Sequence, residues 1–286
     1  MRRRYRARMD VPTDLPDARG AVSRRSWLRC AGALSLSPWL PMVPVAAAVP
    51  PLSSLRPVMP FSESAPGEAL PPGWVPHRMR PDRRDTLYRT VTDPDSGRTV
   101  LQARSERGAT GLRHDLRREP GEYRWLEFGW CVSQVPEQAR SDDDSRDDCP
   151  ARVVVAFDGD LSGLSLREMI FREQVELFTG HTLPHSTLMY VWDGQLPVGA
   201  AVAYPRSSSI RYLVVDSGAA EQGRWRWHRR DLVADYRAVF GREPGPIRSI
   251  GVFTDSDDLG GAVETLYGDI HLPAPEGDMP ALAAGG

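Results

Sequence analysis

Three aspartates near the carboxyl end of the chain have the type and spacing of a short cation-binding loop. Asp255 and Asp257 stand two residues apart, Asp258 follows, and a pair of glycines comes shortly after. Carboxylate oxygens presented in this way are hard ligands that suit Ca²⁺. The pattern is not an EF-hand, because leucine occupies what would be its fifth and twelfth positions. The alternative is a turn whose aspartates bind their own backbone, so calcium is a candidate ligand only.

A second acidic stretch precedes a strongly apolar segment. Asp147 and Asp148 end a run, residues 142–148, that holds five carboxylates within seven residues. Such a run is extended and solvated unless a cation or an arginine such as Arg152 compensates it. Two carboxylates, at about 5 Å or at about 6.5 to 9.5 Å, are also what a glycosidase requires. The sequence therefore leaves three roles possible for these residues: a solvated loop, a contact with a ligand, or catalysis of hydrolysis.

Two tryptophans indicate a surface for sugar rings or, alternatively, part of the core. Trp225 and Trp227 are separated by one residue, so in a strand their rings share a face, with His228 on the other. Flat aromatic faces rimmed by acidic and basic groups suit carbohydrate, whereas indoles before a packed helix also fill cores. Arg230 is a further ligand candidate, and its simplest role is a salt bridge at the start of that helix.

The elements that must position these residues are mainly strands. Short β-like runs separated by glycine, aspartate and proline predict eight of them, at 86–92, 99–104, 123–132, 152–157, 187–192, 210–216, 247–254 and 265–272. Helical patterns cover 164–179 and 229–240, each followed by glycine. The helices do not alternate regularly with the strands, which argues against a parallel sheet. We expect an all-β fold, an antiparallel β-sandwich or jelly roll with one or two helical inserts.

The first 48 residues are typical of an export signal. Residues 23–29, Ser-Arg-Arg-Ser-Trp-Leu-Arg, match the twin-arginine pattern, and a weakly apolar run then leads to three alanines ending at Ala48. The run is too short to span a membrane and is interrupted by prolines, which also disfavour the alternative of a short core helix. We expect export by the twin-arginine machinery, cleavage by signal peptidase after Ala48, and a periplasmic or secreted protein without a transmembrane segment.

Composition divides the remaining chain into three parts and argues against nucleic acid. Residues 49–69 are rich in proline and serine and predict a linker, 70–273 the folded domain, and 274–286 a disordered tail. The formal charge of the whole chain is −2, and without the nine arginines and three aspartates of residues 1–48 it becomes −8. An acidic protein is a poor candidate for binding nucleic acid, which favours basic patches.

Two cysteines remain after the predicted cleavage. Because the periplasm is oxidising, Cys131 and Cys149 are expected to form a disulfide. The bond would close a loop of about 18 residues and stabilise the fold by about 3 kcal/mol. Sequence alone does not determine the distance between the two Cα atoms, so a pair of free thiols is the alternative.

Several blocks of the chain resemble a bacterial family known as domain of unknown function 3047. They are residues 147–153, 188–192, 223–241 and 254–257, within a likeness that runs from Leu70 to Leu272. Asp255-Ser256-Asp257-Asp258 departs mildly from the family's usual Asp-Thr-Asp-Asn and keeps its oxygen ligands. The resemblance implies export and a sandwich fold without an assigned activity. The closing stretch, residues 266–272, is more weakly similar to galactose-binding-like jelly rolls, an analogy of fold that transfers no function.

These observations favour a noncatalytic periplasmic β-sandwich that binds a glycan or another envelope component. Its predicted site lies near Trp225, Trp227, Asp147 and Asp255. A glycan hydrolase or lyase that uses the same acidic loops is the enzymatic alternative, and the sequence leaves open whether the protein is an enzyme. A structural or partner-binding envelope protein is the third class.

Overall fold

The computed structural model describes residues 58–67, 69–78, 82–119 and 121–273. The predicted signal peptide, the first part of the predicted linker and the predicted tail lie outside these residues. Within the part that is described, no helix is both long and apolar enough to cross a bilayer.

Twelve strands, two α-helices and a short 3₁₀ helix at Phe61–Glu63 make up the described chain. In chain order the strands are β1 (Trp74–Arg78), β2 (Leu87–Thr92), β3 (Thr99–Glu106), β4 (Ala109–Arg118), β5 (Trp125–Val132), β6 (Ala151–Phe157), β7 (Ser186–Asp193), β8 (Ala201–Ala203), β9 (Ile210–Ser217), β10 (Arg226–Asp231), β11 (Ile247–Asp255) and β12 (Ala262–Tyr267). The helices are α1 (Leu166–Thr179) and α2 (Leu232–Phe240). All eight predicted strands are present, and β1, β4, β8 and β10 are additional.

The strands form two sheets, which confirms the predicted β-sandwich. The larger sheet has seven strands in the order β1-β4-β11-β6-β7-β9-β8, and the smaller has five in the order β10-β5-β12-β3-β2. All pairs are antiparallel except β7 with β9. The fold is therefore mainly β, with two helical inserts.

The core lies between the two sheets and follows from the alternation of side chains along each strand. In β6, Val153, Val155 and Phe157 belong to the main hydrophobic cluster. In β5, Phe128 and Trp130 enter the same cluster from the other sheet. The alternate residues of both strands face outward, so each sheet has one face in the core and one outer face.

Both helices end as their sequences predict, but the second begins later than expected. Gly180 and Gly241 adopt the left-handed conformation just past α1 and α2, which glycine accommodates without a Cβ clash. The predicted helix 229–240 starts only at Leu232, with Asp231 as its N-cap. The preceding residues form β10 instead, because each of them pairs with β5, and this tertiary pairing overrides local helix propensity.

Part of the predicted linker belongs to the folded domain. Phe61 is fully buried and contacts Trp74, with ring centroids 4.8 Å apart. Gly67 exchanges backbone hydrogen bonds with Thr90 of β2. Burial of the Phe61 ring and the backbone hydrogen bonds of Gly67 both hold this segment against the sandwich.

The predicted disulfide is not formed. Cys131 and Cys149 are both free, the first partly exposed and the second buried. Cys131 alternates with the core residues Trp130 and Val132 and thus lies on the outer face of the five-stranded sheet. Cys149 packs in a cluster with Met189 on the outer face of the other sheet. The two thiols are on opposite sides of the sandwich, which no disulfide can span.

A buried carboxylate joins the two sheets through the core. Asp216 of β9, which is 3% exposed, accepts a hydrogen bond from the Trp130 indole at 2.8 Å and lies 2.8 Å from His228 Nε2. Arg226 donates to its other oxygen at 3.0 Å. Burial opposes ionisation, but the hydrogen bonds from His228 and Trp130 lower the pKa of Asp216 below its ordinary value. The ionised carboxylate therefore holds β9 to β5 and β10.

We predict that Asp216→Ala lowers the free energy of unfolding by about 3 kcal/mol or more, because it leaves buried polar partners without an acceptor. Since the folded-state pKa of Asp216 is lowered, its contribution is present above the ordinary Asp pKa and is lost as the pH falls through the folded-state value. Urea denaturation at several pH values measures both effects. Asp142→Ala, which breaks a solvent-exposed pair with Arg140, is the control and should cost less than about 1 kcal/mol. Equal losses in the two variants would contradict this role of Asp216.

Candidate functional site

A buried arginine organises the acidic end of the seven-stranded sheet. Arg152 is 2% exposed and lies at the start of β6. Its Nη1 donates to Asp255 Oδ1 at 2.6 Å, and its Nη2 donates to Asp147 Oδ1 at 2.9 Å. Tyr212 donates its hydroxyl hydrogen to the second oxygen of Asp147 at 2.7 Å. The predicted compensation of Asp147 by Arg152 is thus present, and Asp255 shares it.

Asp148 fastens the two acidic loops together. Its oxygens accept the backbone N–H groups of Asp258 at 3.1 Å and Leu259 at 2.6 Å. Asp148, Asp255 and Asp257 offer carboxylate oxygens within 4.8 Å of one another. Two of these carboxylates already have cationic partners, since Asp255 binds Arg152 and Asp257 lies 2.9 Å from Arg83 Nε.

The calcium prediction remains untested for this cluster. The sequence predicted Asp258 as the third carboxylate of the cluster. The third carboxylate is instead Asp148, because the fold brings the two acidic loops together. A cation here would have to compete with the guanidinium groups for Asp255 and Asp257. The backbone hydrogen bonds accepted by Asp148 agree with the alternative interpretation, in which the carboxylates stabilise a turn.

Burial shifts the ionisation of the two carboxylates beside Arg152. Desolvation is the largest influence on Asp147 and raises its pKa from 3.8 to about 6, although Arg152 and Tyr212 act in the opposite direction. Desolvation also raises the pKa of Asp255 well above its ordinary value, again against the attraction of Arg152. These two groups therefore gain a proton more readily than exposed aspartates.

The acidic end opens into a groove on the outer face of the seven-stranded sheet. The groove has a volume of about 250 Å³ and extends from Asp147, Arg152 and Asp255 to Arg113 and Arg248. Its lining is largely apolar, with side chains from β6, β7, β9, β11 and the inner face of α1. They include Val154, Phe171, Val175, Met189, Ile210, Tyr212 and Phe253.

The tryptophans form a separate feature, an aromatic platform made of Trp225 and Trp227. Their rings are stacked, with centroids 5.2 Å apart and planes inclined by 17°. Trp227 is 63% exposed and pairs across the strands with Gly129, so it lies on the outer face of the five-stranded sheet. His228 faces the core, where its ring lies 5.0 Å from that of Phe128. The two rings lie on one side of the sheet, so the core role that the approach to a packed helix favoured is wrong for Trp227, whereas Trp225 is partly buried.

Glycines beneath the platform allow the indoles to lie against the sheet. A Cβ at Gly129 would overlap the Trp227 ring, and one at Gly268 would lie 2.8 Å from it. Any larger residue at either position would push Trp227 away from the sheet. The orientation of the platform therefore depends on residues of β5 and of the segment after β12 as well as on the tryptophans.

The sequence prediction of one site is replaced by two surfaces. Asp147, Asp148, Arg152 and Asp255 lie together on the seven-stranded sheet, whereas the platform lies on the outer face of the five-stranded sheet. Arg230 joins neither surface, since it forms a two-point salt bridge with Asp235 at 2.7 and 2.9 Å. That bridge is the structural role expected from its place near the helix start.

The basic end of the groove and its helical wall were not predicted from the sequence. Arg113 lies on β4, an unpredicted strand, and Phe171 lies on α1, a helix that carried no functional expectation. Residues 109–118 carry no clear strand pattern, because the polar residues Thr110 and His114 are buried in β4 together with Leu112 and Leu116. No local signal connects Arg113 to Arg248, because only the pairing of β4 with β11 brings them to one face.

Comparison with known proteins identifies the family. Residues 72–271 match the family described as Protein of unknown function (DUF3047), so the chain belongs to that family. This confirms the resemblance seen in the sequence. Comparison with curated protein sequences finds no match.

Similar solved structures are distant. The endoglucanase cel12A from Rhodothermus marinus is 9% identical with a TM-score of 0.38, over 73% of this chain and 98% of that one. A family 12 xyloglucanase from Bacillus licheniformis is 7% identical with a TM-score of 0.36, over 70% and 99%. Carbohydrate-binding modules of the β-sandwich superfamily are 10% identical with a TM-score of 0.33, over 75% and 60%. The sandwich assignment follows from the two sheets of this chain.

The raised pKa of Asp147 predicts a specific pH dependence of stability. A carboxyl whose folded-state pKa is raised binds its proton more tightly in the folded state, so its contribution is greatest below pH 3.8 and is lost as the pH rises through about 6. We expect Asp147→Asn to flatten the fall in unfolding free energy between about pH 4 and 6. Urea denaturation across this range measures it, with Asp143→Asn, an exposed-loop carboxylate, as the control. An unchanged slope in Asp147→Asn would contradict the burial argument.

Proposed function

We propose that this protein is a noncatalytic carbohydrate-binding β-sandwich whose aromatic platform, Trp225 and Trp227, contacts sugar rings. The supporting observation is a stacked indole pair on an outer sheet face, in which Trp227 is exposed and Trp225 is partly buried. Large apolar side chains are normally buried, so an exposed aromatic surface marks an interaction site. For a protein exported through the twin-arginine pathway, as its first 48 residues predict, envelope or secreted glycans are the polysaccharides within reach.

The surroundings of the platform suit a hydroxyl-rich partner. Trp125 lies on the same outer face and is contacted by Arg229, whose Cζ is 4.7 Å from the ring centroid. Arg229 also pairs with Glu127 at 3.2 Å. Pyranose rings present C–H groups to an aromatic face and hydroxyl groups at their edge, where charged side chains can hydrogen-bond to them. The platform and this charged rim provide both kinds of contact.

The contacts in the groove favour binding over hydrolysis. Asp147 uses both of its oxygens, one with Arg152 and one with Tyr212. Asp148 likewise uses both for backbone N–H groups. A glycosidase requires one carboxyl free to protonate the leaving oxygen and a second free to act as base or nucleophile. Here Asp147 and Asp148 are committed to holding Arg152, Tyr212 and the neighbouring loop.

We predict that Trp227→Ala weakens glycan binding by about tenfold or more, because loss of an exposed stacking surface removes at least about 1.4 kcal/mol. The measurement is affinity electrophoresis and calorimetry of the full chain against a panel of β-linked glucans, peptidoglycan fragments and exopolysaccharides. Leu87→Ala is the control, since Leu87 is 69% exposed on the opposite edge strand of the same sheet.

Equal affinities of the Trp227 and Leu87 variants, or no retention of the parent protein by any glycan, would overturn this proposal. Assay of reducing ends in the same incubations separates binding from hydrolysis. Release of new reducing ends that is lost in Asp147→Asn would establish the enzymatic alternative.

A second variant tests the orientation of the platform without removing an aromatic ring. Gly129→Ala places a methyl group where the Trp227 ring lies, so we expect the indole to tilt away from the sheet and glycan affinity to fall. Tryptophan fluorescence and calorimetry report the two effects. Gly121→Ala is the control, because a Cβ there meets no atom within 4 Å. Full affinity in Gly129→Ala would show that the flat orientation of Trp227 is dispensable.

A further inference from the structure

The groove on the seven-stranded sheet follows β11 and has a floor of small residues. It extends from Arg248 to Asp255, a separation of about 23 Å at roughly 3.3 Å per residue. Gly251 pairs on one side with Arg113 and on the other with Val154. Ser249 pairs with Ala156 in the same way. Because these floor residues have short side chains, a hollow remains between the sheet and α1.

The walls of the groove are hydrocarbon. The sheet contributes Met189 from β7 and Ile210 and Tyr212 from β9. Helix α1 contributes Phe171 and Val175. Phe171 and Met189 belong to a hydrophobic cluster separate from the main core. A ligand that displaced water from these walls would gain free energy in proportion to the apolar area that it covers.

The helix that covers the groove is attached by polar contacts. Its two buried side chains are Glu168 and Arg172. Glu168 accepts hydrogen bonds from Ser207 at 2.6 Å and from the backbone of Ser208 at 3.0 Å, and Arg172 donates to the carbonyl oxygen of Pro184 at 2.6 Å. The apolar residues that α1 turns inward are therefore available to a ligand as well as to the sheet.

The end of the groove opposite Arg152 is basic. Arg113 and Arg248 both line it, with His77 and His181 beside them. A register shift in β11 between Ile247 and Ser249 accommodates Arg248 as a bulge residue, which turns its side chain toward this face. The nearby anions are Asp115, at 2.9 Å from Arg113, and Asp158, which approaches Arg248 only to 4.0 Å.

His77 lies beside the two arginines as a partly buried, uncharged group. Burial, with smaller contributions from the charges of Arg113 and His181, lowers the pKa of His77 to about 4, while Asp115 acts in the opposite direction. His77 is thus neutral at pH 7 and available as a hydrogen-bond partner. An anionic group placed among these residues would meet two arginines and one neutral histidine.

We propose that the groove is a second ligand site, for an amphipathic anion with a hydrocarbon body and a carboxylate or phosphate head. The body lies along the Val154, Met189 and Phe171 surface, and the head binds Arg113 and Arg248. Such a ligand differs in class from the glycan assigned to the platform, and the two surfaces lie on opposite outer faces of the sandwich. The site therefore does not depend on the proposed carbohydrate function.

The test is calorimetric titration of the full chain with dodecanoate, dodecyl phosphate and dodecanol, all below their micelle concentrations. We expect saturable binding of an anionic probe, with dodecanol weaker because it lacks the charge. Dodecanoate and dodecyl phosphate separate the two head groups. Arg248→Gln should weaken the anion by about tenfold, as expected for loss of a charge-assisted hydrogen bond, and leave dodecanol unchanged.

Matched variants distinguish binding in the groove from nonspecific hydrophobic binding elsewhere on the protein. Phe171→Ala should weaken all three probes, whereas Phe178→Ala, which removes a 72% exposed ring of the same helix, should change none. Trp227→Ala should leave the anion affinity unchanged, so failure of the platform and failure of the groove are distinguishable. Circular dichroism and thermal melting confirm that each variant is folded.

Three results would overturn the proposal. One is the absence of saturable binding of both anionic probes by the parent protein. Another is equal anion affinity in Arg248→Gln and the parent. The third is glycan binding that Phe171→Ala abolishes and Trp227→Ala leaves intact, since the groove would then be the carbohydrate site.

Discussion

The buried guanidinium of Arg152 is the interaction on which the acidic end of the molecule depends. It carries a full charge into a site that is 2% exposed, where an unpaired ion would cost several kcal/mol. Asp147 supplies a compensating charge from the loop before β6, and Asp255 supplies another from the end of β11. The planar group has donors for both at once, which a lysine ammonium at the same place would not present in a fixed geometry. The loop before β6 and the end of β11 are thereby held together.

The same ion pairs explain how the acidic residues are accommodated in a buried position. Burial makes the charged forms of Asp147 and Asp255 costly, and Arg152 offsets that cost. Asp148 adds backbone hydrogen bonds that tie the loop after β11 to the loop before β6. The carboxylates and the arginine thus form a polar cluster that shapes one end of the groove. The walls of the groove, in contrast, are mainly apolar. The chemical character of the groove therefore changes along β11.

The two outer faces of the sandwich differ because their side chains differ in size. Gly129 and Gly268 let large indoles lie flat on the five-stranded sheet. On the seven-stranded sheet Gly251, Ser249 and Ala156 leave a hollow that α1 covers without filling. Small residues therefore create a platform in one place and a groove in the other. A platform forms where a large side chain lies over the small residues, as Trp227 does over Gly129 and Gly268. A groove forms where no large side chain covers them.

Much of the fold could be predicted from local patterns. The alternation in β5 and the apolar run of β6 identify half-buried and buried strands, and the glycines after α1 and α2 mark helix ends. The strand β10 could not be predicted, because residues 226–231 continue into a helix and their extended form depends on pairing with β5. The disulfide prediction failed for a related reason, since compartment and spacing do not show on which side of the sandwich each thiol lies.

Short-range periodicity and composition were enough to predict eight of the twelve strands, both α-helices, the sandwich class, the family and the candidate polar residues. Only the tertiary structure decided which residues meet. Arg152 and Asp255 are 103 residues apart in the chain, and their contact exists because β6 and β11 are neighbours in one sheet. Exposure of Trp227 was likewise decided by the position of β10 at a sheet edge. Strand order and the outward or inward face of each strand arise from long-range pairing, which local residue patterns do not specify.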